Sequence, residues 1–281
     1  MPEVTGLPAP RVFATDLDGT LLRSDGTVSD RTRAAFHAAW DAGLDTVIVT
    51  ARPPRWVDHL ADLAGEHGII YCANGAYTYD PHRRRVTENF GFTPDELTAL
   101  VTDLRALPGT TLGAELPSGF WHEENYPSEP PADQAGDRTG TISDLLTIPE
   151  VTGKLLARSS ELNPDAFHAR VREIVGQRAV LQVSCTDGLA ELSPPGVSKA
   201  DALSRFVRAR ELAPADVWAF GDMPNDIPML TWAGAGFAVG NASADVRAAA
   251  DAITYSNEED GVAAVIERAL ARSVPAPQRS R

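Results

Sequence analysis

The sequence predicts an α/β fold: a Rossmann-like three-layer core with a parallel sheet, plus an inserted α+β domain. Three observations predict it. The N-terminal third alternates short β-branched runs with amphipathic helical patterns, which is the mark of βαβ units. The C-terminal third repeats that alternation, and the stretch between the two does not follow it. In order, residues 12–15 read as a strand ending in Asp16, Ser29 as the N-cap of a helix through Ala42, residues 45–50 as a second strand and residues 68–72 as a third. After the middle stretch come a helix over 199–210, a strand over 217–220 ending at Gly221-Asp222, a strand over 236–239, and a last helix following Asp260.

The middle stretch reads as a helix capped by Thr93, strands near 110–115 and 153–158, a helix from Asn163, and strands over 180–186 and 189–192 separated by Asp187-Gly188, a dipeptide favoured in tight hairpins. Residues 127–140, rich in Pro, Asp and Gly, read as an exposed loop. The expected division is therefore core 1–90, insert 91–188, core 189–270, and a tail over 271–281 that lacks a core pattern and is expected to be disordered. There is no internal repeat.

Composition narrows the function. A chain of 281 residues, 43% hydrophobic and 23% charged, has enough apolar residues for a sizeable core. Its net charge of −14 opposes binding to nucleic acid or anionic membrane, so any bound phosphate must be met by a local positive site such as a metal ion. No apolar stretch reaches bilayer length and no signal-like start is visible, so a cytoplasmic location is expected. Cys72 and Cys185 lack metal-ligand or disulfide-framework spacing and read as reduced, structural thiols.

Two acidic motifs follow strands directly. In an open parallel sheet ligands gather at the carboxyl ends of strands, which is where Asp16-Leu17-Asp18-Gly19-Thr20 lies. A turn at Gly19 lets Asp16 and Asp18 approach one point from different angles, so that one carboxylate attacks phosphorus and the other handles the leaving-group proton. A capped strand-to-loop turn is the plain alternative. Gly221-Asp222-Met223-Pro224-Asn225-Asp226 brings a second set of carboxylates to a strand end; such a cluster repels itself unless a hard cation such as Mg²⁺ sits among the oxygens. An Asn/Asp-rich helix cap is the plain alternative here. Lys199, opening a helix, offers a charge to a phosphoryl oxygen, Thr50 a hydroxyl, and Arg52 a guanidinium for phosphate or leaving group. Each is also an ordinary surface residue in other contexts.

With these residues in place, the chain resembles the haloacid dehalogenase superfamily, and within it the Cof-type phosphatases with a large (class IIB) cap. Residues 16–20 are similar to the family's first motif, Thr50 to its second, Lys199 to its third, and residues 221–226 to its fourth, in order over nearly the whole chain. Asn74-Gly75, Gly240-Asn241-Ala242 and Asp260-Gly261-Val262 are further marks of the resemblance. One departure stands out: Thr50-Ala51-Arg52 replaces the common Thr-Gly-Arg, which alters the backbone approach to phosphate.

The resemblance implies a Mg²⁺-dependent phosphatase acting on a small phosphorylated metabolite. By it, Asp16 is the nucleophile that forms an aspartyl-phosphate and Asp18 the acid and then the base. Asp16, the Asp18 carbonyl and Asp222 hold Mg²⁺, and Asp226 belongs to the metal set as an orienting group or a water-mediated ligand; Thr50, Ala51, Arg52 and Lys199 bind phosphate or substrate, and Asn225 contacts the phosphate or the metal's outer shell. The insert then acts as a cap that selects the substrate, with Trp121, His122, Glu123, Glu124, Asn125 and Tyr126 as a polar and aromatic cluster able to read a sugar or pyridoxal ring; exposed aromatics on a hairpin edge are the alternative. Two other readings stay open: a phosphotransferase or phosphomutase, and a silent phospho-ligand-binding regulator.

Overall fold

Four-residue apolar runs become central strands when both faces of a sheet are covered, and the first unit of the protein is built on such runs. In the computed structural model, which describes residues 6–127, 136–183 and 188–273, five parallel strands lie in the order Ala252–Ile253, Ala235–Ala238, Val217–Gly221, Val12–Thr15, Asp45–Ile48. The strand Val12–Thr15 is buried throughout, as are Val217–Gly221 and Ala235–Ala238. Their aromatic side chains fill the interior, with Phe13 edge-on to Trp218 at 6.0 Å and Phe220 stacked on Phe237 at 5.3 Å.

The helix Asp30–Asp41 starts where the sequence predicts, because the Ser29 side chain accepts the Thr32 amide at 3.0 Å. It packs against the last helix, Gly261–Ser273, and the Arg31–Glu267 ion pair joins their exposed faces. That helix runs to Ser273, so the expected disordered tail begins inside it; residues 274–281 lie outside the described part.

Strand order decides where chemistry can happen. The chain leaves Val12–Thr15 toward Asp45–Ile48 on one side and returns much later to Val217–Gly221 on the other. The carboxyl ends of two adjacent strands whose connections diverge make the switch-point crevice of open α/β sheets.

His67 belongs to this unit. Its Nε2 lies 2.7 Å from the Thr46 carbonyl and its ring meets the edge of Phe206 at 5.0 Å. Desolvation pushes its pKa below 6.5; the Arg210 charge adds to this and the Thr46 carbonyl opposes it. A depressed histidine pKa favours the neutral folded form, so the stability it contributes is present above the unfolded value and is lost as pH falls through the folded one. Acidification from pH about 7.5 to about 5.5 is therefore expected to lower the melting temperature, and His67→Gln to lose less over the same range. Parallel pH profiles of the two in a thermal-shift assay would remove His67 as the cause.

The second unit comprises residues 50–61 and 68–202. Its six-stranded sheet has the order Val180–Gln182, Ala190–Ser193, Lys154–Ser159, Thr110–Leu116, Gly119–His122, Arg138–Thr139, antiparallel except for the last pair. Leu112, Ala114, Leu116, Leu155, Ala157 and Leu192 face helices Pro94–Leu104, Ile142–Thr147 and Pro164–Val175. Thr93 and Asn163 cap the first and third of these as predicted. Ala190–Ser193 pairs within this sheet, beyond the boundary drawn at Gly188; Cys185 and Asp187 lie outside the described residues.

The strand expected over 68–72 differs in its partners. Ile70–Cys72 pairs antiparallel with Tyr77–Asp80, which pairs antiparallel with Arg85–Asn89, so it belongs to a separate three-stranded sheet. The reason is local. Ala73 and Asn74 have φ of +50° and +56°, which reverses the chain within a few residues and delivers the next strand alongside. The Tyr77 hydroxyl then joins the two sheets, donating to the Glu115 carbonyl at 2.8 Å and accepting the Gly153 amide at 2.9 Å. Among the described residues no helix is long and apolar enough to cross a membrane.

Candidate active site

Parallel pairing of Thr15 with Phe220 brings the residues that follow them together, and the Asp16 amide donates to the Phe220 carbonyl at 3.1 Å. Asp16, Asp222 and Asp226 thereby form a buried cluster, 5%, 7% and 0% exposed, with one carboxylate oxygen from each lying within 4.8 Å of the others. The backbone makes room for it at two glycines. Gly19 has φ +72°, and a Cβ there would lie 2.4 Å from Asp222 Oδ2; a Cβ at Gly221 would lie 2.4 Å from Asp226 Cβ.

The carboxylates are oriented by donors. Asp226 Oδ2 accepts the amides of Asp222 and Met223, each at 3.0 Å, which fixes the 221–226 turn around its own side chain. Thr20 Oγ1 donates to Asp222 Oδ1 at 2.8 Å. The segment after Asp16 turns back over the Leu17 carbonyl, which accepts the amides of Thr20, Leu21 and Leu22; this leaves Asp18 exposed beside the buried cluster. Asn225 is buried next to Asp226.

Asn241 and Asn257 hold this turn from outside. Asn241 Nδ2 donates to the Gly19 carbonyl at 2.7 Å and its Oδ1 accepts the Asn257 amide at 3.0 Å, while Asn257 Nδ2 donates to the Leu22 carbonyl at 2.8 Å. Sequence reasoning assigned Asn241 no role and missed Thr20 as a partner of Asp222 and Asn257 altogether. The available signal was a polar amide just past an apolar strand.

Three buried carboxylates this close repel one another, and a small divalent cation converts that repulsion into attraction. The donor set is all oxygen, and carboxylate oxygens that all lie within 4.8 Å of one another are close enough to share one small ion. A hard cation of the Mg²⁺ type fits these residues.

The other predicted residues lie in the second unit. Thr50 is buried; its hydroxyl accepts the Arg52 amide at 3.0 Å and its amide donates to the Tyr71 carbonyl at 2.8 Å. Arg52 Nη1 donates to the Trp56 carbonyl at 3.4 Å. Ala51 and Arg52 are half-buried, and Lys199 is buried at the start of helix Lys199–Arg208, unlike an ordinary helix-surface lysine.

The expected reading cluster divides between two faces of a strand. Trp121 is 1% exposed and packs with Leu97, Leu100 and Leu155 on the helix-covered face, so it is a core residue and not a substrate reader. Its neighbours alternate outward: Phe120 stacks on His122 at 5.4 Å and meets Tyr126 at 5.5 Å on the opposite face. Glu123 is taken up by the Leu112 amide at 2.8 Å and by Arg105. Trp121→Ala is expected to destabilise the second unit by about 3–5 kcal/mol, and His122→Ala by about 1 kcal/mol or less. Denaturant midpoints for the two variants test this, and equal losses would contradict the assignment of faces.

A parallel sheet with carboxylates gathered at its switch point is the framework of an enzyme core, and the sequence of this one is specific enough to place it. The chain belongs to the haloacid dehalogenase-like hydrolase family, whose sequence profile matches residues 13–266. It is 29% identical over 257 residues to a 5-amino-6-(5-phospho-D-ribitylamino)uracil phosphatase, YcsE, of Bacillus subtilis, covering 91% of this chain and 94% of that one. It is also 29% identical over 267 residues to the pyridoxal phosphate phosphatase YbhA of Escherichia coli, covering 91% and 97% respectively. The subclass IIB sugar phosphatase BT4131 shares its fold with a TM-score of 0.75 at 21% identity, over 92% of this chain and 98% of that one.

Proposed function

We propose that this chain is a Mg²⁺-dependent phosphatase that hydrolyses a small phosphorylated metabolite through an aspartyl-phosphate on Asp16. The observation that carries the proposal is the buried cluster of Asp16, Asp222 and Asp226 at the ends of two adjacent strands. The two curated relatives act, by their names, on a phosphoribitylamino-uracil and on pyridoxal phosphate, and a small phosphorylated metabolite is the class common to both.

In this reading an Asp16 carboxylate oxygen attacks phosphorus as the bond to the leaving oxygen breaks, and Asp18 gives that oxygen its proton. Asp18 then takes a proton from water, whose oxygen attacks the phosphorus; the acyl-phosphate bond breaks and the Asp16 carboxylate returns. Asp16, the Asp18 carbonyl, Asp222 and Asp226 would hold a Mg²⁺, which would supply positive charge against the oxygens of the transferring group. By family resemblance Thr50, Ala51, Arg52, Lys199 and Asn225 bind that group, and the insert over 91–188, with the strand to Ser193, acts as the selecting cap. The exposure of Asp18 beside a buried nucleophile supports a group that must reach both leaving oxygen and water.

The test is phosphate release from a panel of phosphorylated metabolites, with Mg²⁺ or with chelator and without any acceptor sugar. Release that needs the metal is the expected result; turnover only with an acceptor would favour a phosphotransferase, and tight binding without turnover a regulator. Asp18→Asn should then discriminate by leaving group. Loss of about 10²-fold or more is expected for an alkyl phosphate and distinctly less for an activated aryl phosphate, whose leaving oxygen needs no proton. Equal losses would remove the acid role from Asp18.

A further inference from the structure

The second unit buries a charge pair that ends on a loop. Lys154, which opens one strand of the six-stranded sheet, and Glu191 on the adjacent strand are each 3% exposed. Glu191 stands opposite Leu156, so Lys154 is its diagonal neighbour on the same face, and Lys154 Nζ donates to Glu191 Oε1. The same Nζ donates to the Ala51 carbonyl at 3.1 Å. The other oxygen of Glu191 accepts Asn74 Nδ2 at 3.4 Å.

The loop over 50–52 is held along its whole length. The Thr50 carbonyl accepts the Asn74 amide and the Arg52 carbonyl accepts the Ala73 amide, both at 2.8 Å, and the Arg52 amide donates to Thr50 Oγ1. Three successive carbonyls, of Thr50, Ala51 and Arg52, each receive a donor. Two come from the positive-φ turn at Ala73 and Asn74, and the third is the lysine ammonium. A buried ion pair is weak support for stability, because desolvation offsets most of its attraction and a hydrophobic pair of similar volume serves as well. Stability alone therefore gives no reason to bury Lys154, whereas the bond to Ala51 does.

We propose that Lys154, oriented by Glu191, is a positioning residue that sets the backbone of the Thr50-Ala51-Arg52 loop for the phosphoryl group. The proposal rests on the phosphatase reading above. It also gives a role to the Asn74-Gly75 mark, since Asn74 ties the turn, the loop and Glu191 into one network. A displacement of about 1 Å in such a loop is enough to cost about 10²-fold in rate.

The test uses the full chain with Mg²⁺ and compares the wild type with Lys154→Met and with the double variant Lys154→Met/Glu191→Leu. The single variant leaves a buried unpaired carboxylate and is prone to misfold; the double variant replaces the pair by apolar side chains and keeps the fold. In the double variant kcat is expected to fall by about tenfold or more and the inhibition constant of orthovanadate to rise by a similar factor, with KM changed by less than about threefold. An inhibition constant is independent of the fraction of active protein, so a purely structural defect would not move it. Amide exchange at Arg52, Ala73 and Asn74 should accelerate by about tenfold or more, while the strand amides of the six-stranded sheet hold their rates. Unchanged vanadate inhibition and unchanged exchange in the double variant would overturn the positioning role and leave the phosphatase reading standing. A wild type that releases phosphate from no member of the panel would overturn that reading, and this proposal with it.

Discussion

Asp16→Asn is expected to reduce phosphate release by about 10³-fold or more, to the floor set by contaminating activity, while the protein stays folded. An amide oxygen is a poor nucleophile, and the substitution also removes one of the three charges available to a cation. The fold should tolerate the change because the Asp16 backbone bond to Phe220 is untouched and the side chains are nearly isosteric. It should even gain from it without metal, since one of three mutually repelling buried carboxylates is gone. The expected pair of results is loss of steady-state turnover together with an equal or higher melting temperature in chelator. Undiminished release by the purified variant would sink the nucleophile assignment. A large fall in melting temperature would show that the cluster is a structural device.

The second large effect concerns the metal. Wild-type protein is expected to be stabilised by Mg²⁺ according to RT ln(1 + [L]/Kd), about 2.7 kcal/mol at a hundredfold excess over Kd. Asp222→Asn should weaken the apparent Mg²⁺ affinity by roughly 10–100-fold or more, raising the Mg²⁺ needed for half-maximal turnover in proportion. Asn can still accept from Thr20 at the position of Oδ1, so the turn survives and the loss reports the missing charge. Calorimetric melting across a Mg²⁺ series measures stabilisation without requiring a substrate. Identical Mg²⁺ dependence in wild type and variant would remove the metal from this cluster.

These two experiments probe a site whose parts differed in how readily they could be read. Apolar runs that end in Asp16 and in Gly221-Asp222 announce strand ends, and Ser29, Thr93 and Asn163 announce helix starts, because a period or a cap is decided by residues within a few positions of one another. The α/β class and the inserted α+β unit followed from such local signals. Long-range choices did not. Asp16 and Asp222 lie far apart in the chain and meet only because Val12–Thr15 takes Val217–Gly221 as its neighbour in register.

The strand Ile70–Cys72 is as apolar and buried as the strands of the parallel sheet, and its partner was settled by the left-handed turn at Ala73 and Asn74. The positive φ at a non-glycine residue such as Ala73 carries no compositional signal, although Asn74-Gly75 between apolar runs was a hairpin cue. Phe120, Trp121 and His122 are equally plausible ring readers in one dimension. The pleat separates them, sending Trp121 into the helix-covered core and its two neighbours to the other face.

The sequence by itself thus determined the class of fold, the ends of the strands that carry acids, and the residue types offered for phosphoryl chemistry. The tertiary structure alone decided which acids cluster, which aromatic is core, and that Lys154 spends its charge inside the protein on Glu191 and the Ala51 carbonyl. The physical reason is range. Backbone preference and amphipathic period act over one or two turns of chain, whereas burial and charge pairing depend on partners chosen when distant strands pack.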